Sequence, residues 1–261
     1  MSSRIGVILA KEWLEMRGNR LLIFTIILPP IIMTILPLVM LAVGGRQPMR
    51  PEQLEQLYAI QPSLRLLNPE QVTQITILSQ FLILFLLMPA IIPMTIASFS
   101  IIGEKQSRSL EPLLATPIEV NELFWGKSLA AALPAIGVTW ASYAIFVVGS
   151  LFLASPVVWA QVVAWRWLAM ILLLSPVISL LSVNLGVIIS SRVNDTRVAQ
   201  QIGGVIVVPV LLLLFAQLAG VIAIGLETIL MALVALGALD YALIGVGARL
   251  FQRETILTRW R

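Results

Sequence analysis

The 261-residue chain is 59% hydrophobic and only 11% charged, with 17 Lys and Arg against 13 Asp and Glu. That is too little charge to cover a soluble domain of this size, so the medium it implies is a lipid bilayer. The chain has no Cys and no His, which excludes disulfides, thiolate chemistry, His-ligated metal or haem, and any nucleophile activated by a His base. No catalytic residue, metal site or bound cofactor is therefore expected, and the net charge of +4 reads as membrane topology rather than affinity for nucleic acid.

Residues 1–20 place Ile5, Leu9, Trp13 and Met16 on one helical face, while Lys11 and Glu15 form an i,i+4 pair on another. A basic amphipathic helix next to a membrane span is expected to lie in the cytoplasmic interface. Leu21–Val43 follows as an uncharged run of 23 residues. It is longer than a signal-peptide core and lacks a small-residue cleavage site after it, so it is expected to stay as the first span. Residues 44–80 contain Pro48, Pro51, Pro62 and Pro69 and are rich in Gln. They are expected to form an extracytoplasmic loop with one or two short helices near 52–60; a solvated loop and a lid over an exit path both fit. Phe81–Ile102 is the second span, with Pro89 and Pro93 inside it.

A polar island then interrupts the apolar sequence at 103–128, GEKQSRSLEPLLATPIEVNELFWGKS, in which seven of 26 residues are charged. Its terminal Gly126-Lys127-Ser128 invites a phosphate-loop reading. That motif requires glycine at 121, where the chain has Asn121, and no apolar strand run leads into it. Lys127 instead suits a flanking anchor for the third span. Within the island, Ser109 suits the N-cap of a short helix with Pro112 in its first turn, and Thr116-Pro117 ends that turn. Leu110, Leu113 and Leu114 would form an apolar knob rimmed by Glu104, Arg108, Glu111 and Glu119. Such a knob fits a cleft in a soluble partner, with the leucines supplying affinity and the rim setting register.

Four more spans are expected at 129–153, 167–190, 202–224 and 228–248, the last two joined by a tight turn. Trp159, Trp165 and Trp167 cluster near the outer end of the third and fourth spans, as in an aromatic belt. Five spans contain proline: Pro29, Pro30 and Pro37; Pro89 and Pro93; Pro134; Pro176; Pro209. Packing kinks and hinges both account for them, with Pro89 and Pro93, directly upstream of the island, the better hinge candidates. Gly203, Gly204, Gly220, Gly245 and Gly247 would allow close helix approach. Asp240 is an acid well inside a span. A structural acid bonded to a neighbouring helix and a proton- or cation-coupling group are both open readings.

Thirteen of the Lys and Arg residues fall on the side holding the N-terminal helix, the island, the 191–201 loop and the C-terminal tail. Four, Arg46, Arg50, Arg65 and Arg166, fall on the other. By the positive-inside rule both termini and the island are cytoplasmic, and an even number of spans agrees by placing both termini on one side. The expected architecture is an all-α, multi-pass integral membrane protein with six transmembrane helices in one permease domain.

Four stretches carry a family resemblance: AKEWLEMRGNRLLI, GEKQSRSLEPLLATPIEVNELFWGK, NDTRVAQQIGGVIVVPVLLL and ARLFQRETILTRW. The chain resembles the permease subunits of the ABC-2 family of ABC transporters, mostly exporters of the type V kind, over nearly its whole length. The second stretch is the most specific, although Ser107-Arg108-Ser109 stands where Gly-Thr usually precedes the Leu. The resemblance implies that Glu104 and Ser109–Pro117 form a coupling helix docking on a separate ATP-binding subunit, which would carry the ATP and magnesium. It implies that the N-terminal helix is a connecting helix, that the permease pairs with a second copy as a homodimer or heterodimer, and that it resides in the cytoplasmic (inner) membrane.

A transport permease is thus the leading expectation. An intramembrane serine protease would need a His base and an aspartyl protease a second acid, so both fail. An ion-coupled secondary transporter using Asp240 and a non-catalytic membrane assembly or maturation factor are the alternatives. Uncharged residues such as Met33, Phe85, Phe99 and Phe215 suit a pathway for a hydrophobic or amphiphilic substrate, and equally suit lipid-facing positions.

Overall fold

The fold was obtained as a computed structural model that describes residues 2–43, 49–107, 109, 120–219 and 224–250, the side chains of 2, 3, 60, 63, 120 and 247–250 excepted. The structure of the described residues is all helical: α1 Ser2–Gly18, α2 Arg20–Val43, α3 Pro51–Ile60, a 3-10 turn Pro62–Leu66, α4 Pro69–Leu84 and α5 Leu87–Gln106. There follow α6 Val120–Leu153, α7 Pro156–Val162, α8 Trp165–Arg192, α9 Thr196–Gly203, a 3-10 turn Gly204–Ile206, α10 Val207–Leu218 and α11 Leu226–Leu250. Six of these segments, with α4 and α5 counted as one, α7 joined to α8, and α9 to α10, are long and apolar enough to cross a membrane.

Several segment ends differ from the sequence-based expectation. The helix of the second crossing starts at Pro69, twelve residues before Phe81. Its first turn is polar and escapes a hydropathy reading, but proline sits where no backbone donor is needed, and the Gln71 side chain accepts the Asn68 N–H at 3.1 Å. The fifth crossing starts at Thr196 rather than 202, because Asp195 Oδ1 accepts the N–H groups of Arg197 and Val198 at 2.7 and 3.2 Å. Its helix ends at Leu218, short of the expected 224.

Three crossings are broken, two of them just upstream of a proline and the third at Val163–Ala164, between α7 and α8. The α4–α5 break lies at Phe85–Leu86, and the carbonyl that the Pro89 ring displaces is that of Phe85. The 3-10 turn Gly204–Ile206 likewise contains Val205, four residues before Pro209. Pro93, Pro134 and Pro176 lie inside helices that run through without interruption.

At the centre α5 packs against α8, and α2, α6, α10 and α11 surround that pair. Close approach comes from small residues. A Cβ on Gly186 of α8 would lie 3.1 Å from both Ala97 Cβ and Met94 Sδ of α5. Between helices in lipid, such packing and interhelical hydrogen bonds replace the hydrophobic drive available in water. One such bond runs from the Ser182 hydroxyl to the Ala90 carbonyl. Phe85, expected as a pathway or lipid-facing residue, is fully buried, edge-on to Tyr143 with ring centroids 6.1 Å apart and tilted against Phe146 at 5.4 Å. It is a core residue. Trp167 is also buried in the core, because two residues along a helix turn it away from the outward-facing Trp165. The three-tryptophan belt is thereby corrected to Trp165, with Trp159 partly buried and donating to the Val147 carbonyl at 3.2 Å.

Candidate functional site

The ends of α5 and α6 that bracket the polar island meet α1 in a cluster of charged side chains. Lys127 of α6 places its ammonium 2.7 Å from Glu12 Oε1, 2.8 Å from Glu104 Oε2 and 2.9 Å from the Ser100 hydroxyl. The Glu104 contact is poorly aligned for a hydrogen bond, so it acts as charge against charge. The side chains of Glu12, Glu104 and Lys127 are each 4–5% exposed. Lys11 adds a second cation, hydrogen-bonded to Glu104 Oε1 and lying 3.3 Å from Glu15 and 3.6 Å from Glu12. Arg4 reaches buried Glu122 at 3.5 Å. The three carboxylates Glu12, Glu15 and Glu104 approach within 4.8 Å of one another, and the two lysines neutralise most of their charge.

The electrostatics follow from that geometry. Burial pushes the Glu12 carboxyl up, but Lys127, assisted by Ser100 and Lys11, outweighs it and holds Glu12 below its ordinary value of 4.5. Burial pulls the Lys11 ammonium down, yet the hydrogen bond to Glu104 and the surrounding carboxylates hold it above its ordinary value. Glu12 and Lys11 therefore each favour the charged form. With Glu12, Glu104 and Lys127 excluded from water, such a network tolerates the loss of one of these three poorly.

Gly126 explains why α1 comes so close. A Cβ there would lie 2.8 Å from Ile8 Cγ2 and 3.0 Å from Ile8 Cβ. The residues that imitated a phosphate loop thus each have another task. Gly126 seats Ile8, Lys127 joins two carboxylates, and Ser128 is buried. The assignment of Lys127 as a mere flanking anchor is corrected by these contacts.

The face that α1 packs on the rest of the molecule centres on Ile8 and Glu12. Ile8 and Glu12 are buried, Ile5, Leu9 and Met16 are half-buried, and Trp13 is 41% exposed. The polar Glu12 at the centre of the face hid it from a hydropathy reading. Glu104, expected to face a partner, points inward to the lysines. Ser109 makes a hydroxyl pair with Ser107 at 2.9 Å, and its N–H donates to the Glu104 carbonyl at 3.1 Å. Arg108, Leu110, Glu111, Pro112, Leu113, Leu114, Thr116 and Pro117 lie outside the described residues.

Two cavities share Phe99, and the first adjoins the cluster. One of about 240 Å³ lies between α1 and α5, lined by Glu12, Glu15, Met16, Phe99 and Ser109 among others. The other, about 400 Å³, is lined by Leu21, Thr25, Phe99, Gln106, Arg197 and Gln200 among others. Phe99 stands between them; Met33 packs on the core, and Phe215 is 61% exposed.

Asp240 is buried and accepts a hydrogen bond from the Asn184 amide of α8, a partner that proximity to Arg249 in sequence did not indicate. Of the glycines expected at close contacts, Gly203 abuts Met94 of α5, while Gly204 and Gly245 face open space and Gly220 lies outside the described residues.

A family model described as "ABC-2 family transporter protein" matches residues 7–251. No curated protein matches the chain.

Proposed function

Because the chain belongs to the ABC-2 family of transporter proteins, as a multi-pass membrane permease rather than an enzyme, we propose that it exports a hydrophobic or amphiphilic substrate under the drive of a separate ATP-binding subunit. That subunit would dock on the 103–128 segment, with Leu110, Leu113 and Leu114 as its apolar contact. Both termini and this segment would face the cytoplasm, in the inner membrane, as the excess of Lys and Arg on that side supports. A second permease copy would complete the pathway, and α2 and α10 present apolar faces to it, including Phe24, Ile31, Leu212 and Phe215.

The observation that carries this reading is the buried Lys127–Glu12–Glu104 network. It fastens both helix ends bracketing the island to each other and to α1. A push on the island would then move three helices together instead of bending one loop. An amphiphilic substrate is supported by the mixed lining of the two cavities, where Phe99 and Leu21 or Leu22 stand beside carboxylate, amide and hydroxyl groups.

The test is Leu113→Asp or Leu114→Asp in the chain reconstituted with its ATP-binding subunit. A charge in an apolar docking cleft costs several kcal/mol by order of magnitude, so stimulation of ATP hydrolysis by the permease should vanish while membrane insertion is unchanged. Undiminished stimulation would overturn the docking role.

A further inference from the structure

We infer that Lys105 and Gln106 are positioning residues that pass movement of the 103–128 segment to the fifth membrane crossing; the inference rests on the coupling role proposed above. Consecutive residues on a helix point about 100° apart. At the end of α5 this sends Glu104 into the ion network and turns its two successors to the α8–α9 turn. The Lys105 ammonium lies 3.0, 3.3 and 3.4 Å from the carbonyl oxygens of Val193, Ser191 and Ser190. These belong to the last turn of α8 and the residue after it, where carbonyls lack helical partners and attract a cation. The Gln106 amide donates to the Asn194 carbonyl at 3.0 Å. The next residue, Asp195, caps α9. A chain of direct contacts thus leads from the start of the island to the first turn of the fifth crossing.

The rest of α9 is arranged to follow. At its far end Gly203 lets Met94 of α5 press against the backbone, so α9 is held to α5 at both ends. Immediately beyond, the Gly204–Ile206 turn breaks the crossing and separates α9 from α10. The cavity of about 400 Å³ lies between α9 and the first turns of α2, with Thr25 on one side and Gln200 on the other. That space leaves α9 room to shift toward α2.

With no native Cys, Thr25→Cys and Gln200→Cys can carry spin labels across this space. The distance is measured in the full chain in lipid with its ATP-binding subunit, with and without ATP. ATP should shift it in the labelled parent. Lys105→Met should abolish the shift and lower transport per ATP hydrolysed about fivefold or more, with subunit binding and ATP hydrolysis retained; Lys105→Arg should restore both. Gln106→Leu provides the same comparison should Lys105→Met fail to assemble. A full shift in both Lys105→Met and Gln106→Leu would overturn this inference alone. A labelled parent that neither binds the subunit nor shifts would overturn the coupling reading and the inference with it.

Discussion

Replacing Lys127 by Met tests whether the buried ion network holds α1 to the rest of the molecule. The substitution keeps side-chain length but removes a cation 2.7 Å from Glu12 and 2.8 Å from Glu104, in a position whose side chain is 4% exposed. Breaking a buried pair from one side costs about 3–5 kcal/mol, because the remaining charge stays desolvated. Lys11 keeps its bond to Glu104 and lies 3.6 Å from Glu12, so the low end, about 3 kcal/mol, applies. Unfolding is followed in detergent for Lys127→Met, Glu12→Gln and the double variant. Glu12→Gln removes the carboxylate that Lys127→Met strands, so the double variant should be less damaged than the two singles added together, by about 1–2 kcal/mol. A lysine that merely flanks a span would cost less than about 1 kcal/mol when removed and would add independently of Glu12. That result would refute the network.

Gly126→Ala should push α1 off α6, because the new methyl group meets the β-branched Ile8 side chain near its root; a loss of about 1–3 kcal/mol is expected, measured by thermal unfolding and by faster proteolysis of α1. Ile8→Ala in the same chain should recover part of it. Asp240→Asn should leave transport intact, since an amide can still bond to Asn184, whereas Asp240→Ala strands the buried Asn184 amide and should lower yield, at a cost of about 1–3 kcal/mol. Loss of transport in Asp240→Asn at normal yield would instead assign an ionisable role to the acid.

Six crossings and the amphipathic first helix were legible because long uncharged runs and their bounding charges carry a strong periodic signal. The ends of the crossings were not. Polar first turns such as those at Pro69 and Thr196 continue a helix through local capping, which hydropathy does not register. Nor could the sequence reveal the pairing of Glu12 with Lys127, 115 positions apart. A glutamate on a surface helix and a lysine beside a span each have an ordinary local explanation, and only tertiary packing brings them together. The one available hint was Gly126, a small residue next to a charge at a helix entrance. Phe85 was misread for a different reason: within an all-apolar run, nothing distinguishes core from lipid-facing positions without knowledge of the neighbouring helices.

The one-sided attachment of α11 bears on how the protein is made and how it fails. This helix packs on α8 and touches α6, with Leu230, Met231, Val234 and Tyr241 facing outward. A segment so oily can partition into lipid unaided and find its groove afterwards, recognising it through Asp240 and Asn184. It is accordingly the piece expected to arrive last during biogenesis and to come away first on heating, well before the α5–α8 centre gives way.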